Sequence, residues 1–404
     1  HAAGCLYHRP KEDMAPLIAS WLDSEDISER RAGVIASGAS GEASYTPKLE
    51  ALLQQKSNEA IAGDILQALA KLEDPDLNRL ALAFLDHSQT EIRKSALRVL
   101  EITDDTILNR VIQHLGEPVE AVRELAKEKI KDASYLNGQI LIESLSRPNH
   151  RLREALFELL EDLEIKNLDL FRFTKKDLEQ AYLCLAKALA LEQVITESQP
   201  RELLRQHLLE KKNLLLENIF RVLAIHDQDQ QMRTVFRGLF SLDPRHQANS
   251  IELLSDIMDK KTFNMVLPLI ESASPRETLI SGKKFFTIPN FETDGTQLFT
   301  ALLTHEDWLE VLLALEILNN EPEMRTRLES RIHELQDSPN AFIRRPALQI
   351  AEPPRGGLDS KEHFMDTEMP IVEKILLLKN IAIFSGLNVS ELGAIAAVTE
   401  EVDF

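Results

Sequence analysis

Cysteine is nearly absent from this chain. Two in 404 residues, Cys5 and Cys184, stand far apart and in no metal-ligand spacing, which excludes a disulfide framework and fits a reducing compartment. Glycine numbers 14 and aromatics make up 5%, a scarcity that argues against a β-rich or glycine-loop architecture. No apolar run is long enough to cross a membrane; the richest, Trp308 to Leu318, is broken by Glu310 and Glu316. The chain opens at His1 rather than Met and carries no signal peptide, so it is expected to be a piece of something longer. Eleven histidines form neither HxxxH nor HExxH, the spacings that set two imidazoles on one helix face, and no zinc centre is expected. Ala36-Ser37-Gly38-Ala39-Ser40-Gly41 lacks both GxGxxG and a P-loop lysine and reads as a loop between paired helices. Asp227-Gln228-Asp229 lacks the glycine and distal glutamate of a calcium loop. No cofactor is expected. Basic charge is short as well: 46 basic residues against 66 acidic leave a net charge of −20. That field repels phosphate backbones, so nucleic acid is not an expected partner.

What is abundant is helix-forming apolar residue, 44% of the chain, arranged with a period. Ile92-Arg93-Lys94-Ser95-Ala96-Leu97, Val122-Arg123-Glu124-Leu125-Ala126 and Leu152-Arg153-Glu154-Ala155-Leu156 begin 30 and 30 residues apart. Looser copies lie upstream at Ile61-Ala62-Gly63-Asp64-Ile65 and Glu29-Arg30-Arg31-Ala32-Gly33. Leu53, Leu85, Leu115 and Leu145 repeat the register at 32, 30 and 30. A fixed period in this range predicts stacked supersecondary units, each too small to hide its own apolar face. Each unit reads as two antiparallel helices, with breaks such as Asp74-Pro75-Asp76 supplying caps. The recurring arginine is expected to reach acceptors at a neighbouring repeat or loop while its stem covers apolar surface.

The predicted organisation is residues 1–163 as N-terminal repeats, 164–213 as an irregular helical junction and 214–351 as C-terminal repeats. Residues 352–369 form a Pro/Gly linker and 370–404 a short terminal segment. In the junction, Thr174 is expected to cap a long helix, with Asp177 at the third position and Phe173 stapling onto Leu178. A second helix is expected over Pro200 to Leu209 and a third over Leu215 to Ile225. Ser274-Pro275-Arg276-Glu277 and Asn388 with Glu391 have the form of capping boxes. Residues 281–297 fit no helix pair. Their aromatics and lysines, Lys283, Lys284, Phe285, Phe286 and Phe291, are the candidate interaction loop, the alternative being aromatics tucked onto the helices. Ile343-Arg344-Arg345-Pro346-Ala347-Leu348 is the last copy of the repeat. Cys184, among Leu183, Leu185 and Leu189, reads as core.

The aliphatic-Arg repeats resemble the HEAT family, in the short form also found in phycobilisome-lyase-type repeats. The stretch "LLLKNIAIFSGLNVSELGAIAAVTEEVDF" resembles the opening of a cyclic-nucleotide-binding domain, where a leucine-lysine helix leads into a Phe-Ser-Gly-Leu turn. That family continues into a β-barrel with a phosphate cassette of Gly, Glu and Arg. None of that cassette is present here, so no nucleotide-binding residue carries over, and a cyclic nucleotide is implied only together with the barrel. Repeats leading into such a domain are similar to the tail of bacterial membrane proteins with an ADP/ATP-translocase-like module. Leu216-Glu217-Asn218-Ile219-Phe220-Arg221-Val222-Leu223 through Leu254 carries part of that likeness.

The expected fold is all-α: a HEAT-like α-solenoid, a superhelix of antiparallel helix pairs, ending in the first helices of a truncated cyclic-nucleotide-binding domain. The expected function is a non-enzymatic scaffold for a protein partner, cytoplasmic and at the inner face of a membrane, joined to a membrane module in the same longer chain. The alternatives are a free-standing protein-binding adaptor and, third, an enzyme of the lyase-like repeat type, which a convergent set of titratable residues would revive.

Overall fold

The computed structural model describes residues 11–147, 149–163, 165, 168–227, 231–241, 243–271, 274–304, 307–351 and 369–399. Cys5, Gln228, Asp229, nearly all of the expected linker and residues 400–404 lie outside them. The described residues are all-helical, with 23 α-helices and no strand. Two compact units divide the chain, His1–Leu168 and Asp169–Phe404.

The first unit holds α1 (Lys11–Leu22), α2 (Ile27–Ser40), α3 (Thr46–Leu53), α4 (Ala62–Lys71), α5 (Leu77–Leu82), α6 (Thr90–Val99), α7 (Asp105–His114), α8 (Glu120–Lys131), α9 (Gly138–Glu143) and α10 (His150–Asp162). Helix α2 packs on α4, α4 on α6 and α6 on α8, while α3, α5 and α7 pack on α4, α6 and α8 in turn. The apolar residues of the period are the ones that disappear: Ile92, Ala96, Val122, Ala126, Leu152 and Leu156 are buried, as are Leu53, Leu85, Leu115 and Leu145. Each such leucine contributes about 1.5–3 kcal/mol by leaving water.

Several arginines in the first turns of helices share one bond, among them two of the three that follow the aliphatic residue in the clearest copies. Arg93 Nη1 donates to the His87 carbonyl at 2.8 Å and Arg123 Nη1 to the Glu117 carbonyl at 2.8 Å, both six residues back. Arg30 makes the same bond to Ser24 at 2.6 Å. In the second unit Arg344 and Arg201 repeat it, at 2.9 Å to Ser338 and 3.0 Å to Ile195. The guanidinium thus closes the loop that leads into its own helix. Arg93 also reaches forward, with Nη2 3.2 Å from Glu117 Oε2 in the next loop.

Ala36–Ser40 is helix, not the expected loop. Helix α2 runs through to Gly41, which caps it at φ 72°, a conformation glycine takes without steric cost. Gly38 lies within the helix because α4 comes close there: a Cβ would stand 2.8 Å from the Ala68 Cα.

The second unit begins with the two longest helices, α11 (Leu170–Val194) and α12 (Gln199–Ile225). It continues with α13 (Gln231–Leu239), α14 (Pro244–Ile257), α15 (Lys260–Ile270), α16 (Pro275–Gly282), α17 (Gly295–Leu303), α18 (Trp308–Asn319), α19 (Pro322–Arg327), α20 (Glu329–Leu335), α21 (Ala341–Ala351), α22 (Ile371–Lys379) and α23 (Val389–Ala396). Two expectations give way here. Helix α11 starts at Leu170, with Asp169 accepting the Arg172 N–H at 2.8 Å. Thr174 is therefore no cap; it and Asp177 are buried inside the helix, along with Phe173. The expected boundary at 213/214 and the break between Leu209 and Leu215 fall inside α12, because no Gly or Pro interrupts Arg201 to Ile225.

Helices α11 and α12 form a long hairpin against which later segments pack: α15, α16 and α17 on α11, and α13, α18 and α23 on α12. Both capping boxes form as the residues predict, at Ser274/Glu277 and Asn388/Glu391. The α22–α23 pair is seated in this unit. Val389 N–H donates to Glu210 Oε2 on α12 at 2.8 Å. Gly393 lies against Leu309 of α18, close enough that a Cβ there would meet Leu309 Cδ2 at 3.0 Å.

Candidate functional site

Where α11, α12 and α18 meet, charged side chains stand in the core. Glu310 is 0% exposed, Asp307 2%, His207 3% and Lys187 7%. Each rides on an element that brings it there for another reason. Lys187 lies in the apolar run Leu183–Leu191 of α11, between Ala186 and Ala188. His207 and Lys211 are one turn apart on α12. Asp307 is the N-cap of α18, its Oδ1 accepting the Leu309 N–H at 3.2 Å, and Glu310 sits in the first turn. Ionised groups cost several kcal/mol each to bury unless paired, and these are paired. Lys187 Nζ lies 2.5 Å from Glu310 Oε1. Lys211 Nζ bridges the two acids, 3.0 Å from Asp307 Oδ2 and 3.2 Å from Glu310 Oε2. His207 Nε2 lies 3.0 Å from Asp307 Oδ2.

The electrostatics follow from this pairing. Burial pushes the Asp307 carboxyl up, but the hydrogen bond and charge of His207, with Lys211 beside it, prevail and hold it well below the usual carboxylate range. Burial pushes the Lys211 ammonium down; Glu310 and Asp307 outweigh that and hold it above the usual lysine range. The neighbouring Cys184 thiol is pushed up to about 11, chiefly by burial, so it is a protonated core residue rather than a nucleophile.

One nitrogen of His207 and one carboxylate oxygen each from Asp307 and Glu310 lie within 4.8 Å of one another, a donor set that suits a divalent ion. Lys211, however, already stands between the two carboxylates as the cation. Lys187 and Lys211 already neutralise the two carboxylates, with His207 beside Asp307, and a metal ion would have to displace them. The residues fit an internal ion pair better than a metal centre.

The candidate interaction loop divides. Phe286 and Phe291 are buried, with the Phe286 ring 5.5 Å from that of Tyr182 on α11. Phe285, Lys283 and Lys284 are exposed. Two of the three aromatics are therefore inward, Phe286 anchoring the loop to α11, and its outward face is Lys283, Lys284 and Phe285. No contact joins the described residues of the loop to the charge cluster, whose residues form no linear motif. Glu310 appears in the sequence as a mere interruption of an apolar stretch, yet it is the centre of the cluster. The signal in the sequence is complementary: one lysine in the apolar run of α11, and glutamates in the apolar run of α18.

No family model matches the chain, and no curated protein does. Among solved structures it is similar to an engineered protein, at 14% identity over 84% of this chain and 98% of that one. The TM-score is 0.20, too low to argue a shared fold or function.

Proposed function

We propose that this chain is a non-enzymatic helical-repeat scaffold, the cytoplasmic regulatory part of a larger transporter-like membrane protein that also carries a cyclic-nucleotide-binding domain. The repeats stack as a HEAT-like solenoid and offer a protein partner an extended surface. The observation that carries this reading is the serial packing of α2, α4, α6 and α8, each preceded by a loop of which three are closed by the same i to i−6 arginine bond. A unit that repeats its contacts at fixed intervals has its core between neighbours and leaves its outer faces for recognition. The charge cluster supports the same view. Its acids and bases are spent on one another in the core, which suits holding α11, α12 and α18 in register better than turning over a substrate. The lysines and Phe285 of the 283–291 loop are the proposed contact at the second unit.

The test is capture with photo-crosslinking. A photoreactive phenylalanine placed at exposed Phe285, and in separate proteins at exposed positions of α6 and α8, is expected to join one and the same partner in cells. Recovery of no stoichiometric partner, or turnover that disappears with Lys211→Met, would overturn the reading.

A further inference from the structure

The second unit has a cavity of about 230 Å³ at the joined beginnings of α11 and α15. Leu170, Phe171, Leu223, Met232, Ile257 and Met258 make its apolar wall. Phe171 stands at its lip, 44% exposed, with Lys261 Nζ 5.3 Å from the ring centre. Ligand pockets usually run from about 300 to 1,000 Å³, so this one is small for a metabolite and suits a single large side chain. Methionine walls adapt to more than one such shape.

At the starts of α11 and α15 the charge beside it is the reverse of the chain's, while Asp227 and Asp256 flank the α13 and α14 side of the wall. Residues 169–176 and 259–261 carry Arg172, Lys175, Lys176, Lys260 and Lys261 against Asp169 and Asp259 alone, in a protein of net charge −20. Both aspartates are N-caps, Asp169 of α11 and Asp259 of α15, each accepting backbone N–H groups. All five basic residues are exposed. Lys175 follows Phe171 by one helical turn, so a cation stands on the same side of α11 as the lip. Across the lip, Lys261 lies over the Phe171 ring.

We propose that this cavity is an anchor site for an acidic peptide segment of a partner protein. One bulky apolar side chain, phenylalanine-sized, fills the space behind Phe171, and flanking carboxylates pair with Lys175, Lys260 and Lys261. The apolar anchor supplies most of the affinity and the basic rim sets charge preference and association rate. This deepens the scaffold reading and rests on it.

The experiment uses the whole chain and a fluorescein-labelled nonapeptide of glutamates and serines with one central phenylalanine. Two matched peptides carry central alanine, or lysines in place of glutamates. Anisotropy is expected to show saturable binding of the first, weakening as salt is raised. The other two bind at least about tenfold more weakly, the loss typical of a removed anchor. Phe171→Ala and the double variant Lys175→Glu/Lys261→Glu, all on exposed positions and checked for native helicity by circular dichroism, each reproduce that loss; Phe285→Ala does not. Equal binding of the three peptides, no binding at millimolar concentration, or unaltered binding by both variants would overturn the proposal. So would saturable binding of dodecanoate that Phe171→Ala abolishes, which would assign the cavity to an amphiphile, or self-association lost in the same variant, which would assign it to a second copy. The crosslinked partner separates this from the scaffold reading: a partner held equally by wild type and both variants ends the anchor site alone, and no partner for wild type ends the scaffold.

Discussion

Lys187 and Glu310, 123 residues apart in the chain, meet at 2.5 Å in the core of the second unit. Lys187 is the lone charge in the apolar run of α11, and its partner Glu310 also holds Lys211, so the pair favours one register of α11 against α18. Slippage by a turn would strand Lys187. Deleting one partner of a buried pair typically costs about 3–5 kcal/mol, because the survivor stays charged and alone. Glu310→Gln is therefore expected to lower the stability of the second unit by that order. Lys187→Met with Glu310→Leu should cost clearly less than the sum of the two single changes. Trp308 stands two residues before Glu310, and Trp21 is the chain's other tryptophan. Urea titration followed by fluorescence in a Trp21→Phe background reads this unit directly; additive single and double effects would refute the coupling.

Stability should also have a plateau in pH bounded by the same cluster. Asp307 is held low in the fold and titrates near pH 3.9 when unfolded. The unfolded chain then binds more protons, so the contribution of Asp307 is complete above that range and drains as pH falls through it. Lys211 is held high and titrates near pH 10.4 when unfolded. Its contribution is complete below that value and drains as pH rises past it. Melting temperature followed through Trp308 is expected to be level between about pH 5 and 10 and to fall on both sides. Lys211→Met should lower the plateau and remove the alkaline step.

Much of the first unit could be read from its sequence, and the reason is local. The buried leucines at Leu85, Leu115 and Leu145 and the arginine bonds depend on a helix and its neighbours in the chain, so sequence spacing records them. The capping boxes at Ser274 and Asn388 were legible for the same reason. What escaped was set by distant packing. Gly38 sits in a small, polar stretch with the composition of a loop, but it lies within α2, where α4 approaches at Ala68. Thr174 has the form of a cap, but Asp169, five residues earlier, takes that role and leaves Thr174 buried inside α11. The charge cluster joins residues about 100 positions apart, His207 with Asp307, and no linear spacing encodes that meeting. The cavity behind Phe171 likewise needs α11, α12, α13, α14 and α15 together.

The loop-closing arginines give a third prediction. Arg93 and Arg123 each donate to a carbonyl six residues back, and a charge-assisted bond of this kind contributes about 1.5–3 kcal/mol. Arg93→Ala and Arg123→Ala should each destabilise the first unit by that amount, read through Trp21 in a Trp308→Phe background. Lysine should not restore the loss at Arg93, because an ammonium cannot hold the His87 carbonyl and Glu117 at once as the planar fork does. Recovery by Arg93→Lys to wild-type stability would refute the role.

One acid works against the fold. Glu316, on α18, has its carboxyl raised above the ordinary value, first by burial and then by the facing charge of Glu373 on α22. A raised acid binds its proton more readily in the folded state than in the unfolded one. The sign is therefore opposite to that of Asp307: the charged form costs stability at neutral pH, and the cost vanishes as pH falls through the folded value. Glu316→Gln, which keeps the shape and removes the charge, should melt above wild type at pH 7. The gain should shrink towards zero near pH 4, where the native carboxyl is protonated too. Glu373→Gln removes only the second cause and should give the smaller gain. A Glu316→Gln protein that melts below wild type at pH 7 would mean that the carboxylate is held by a favourable partner, and the seating of α22 beside α18 would need another explanation.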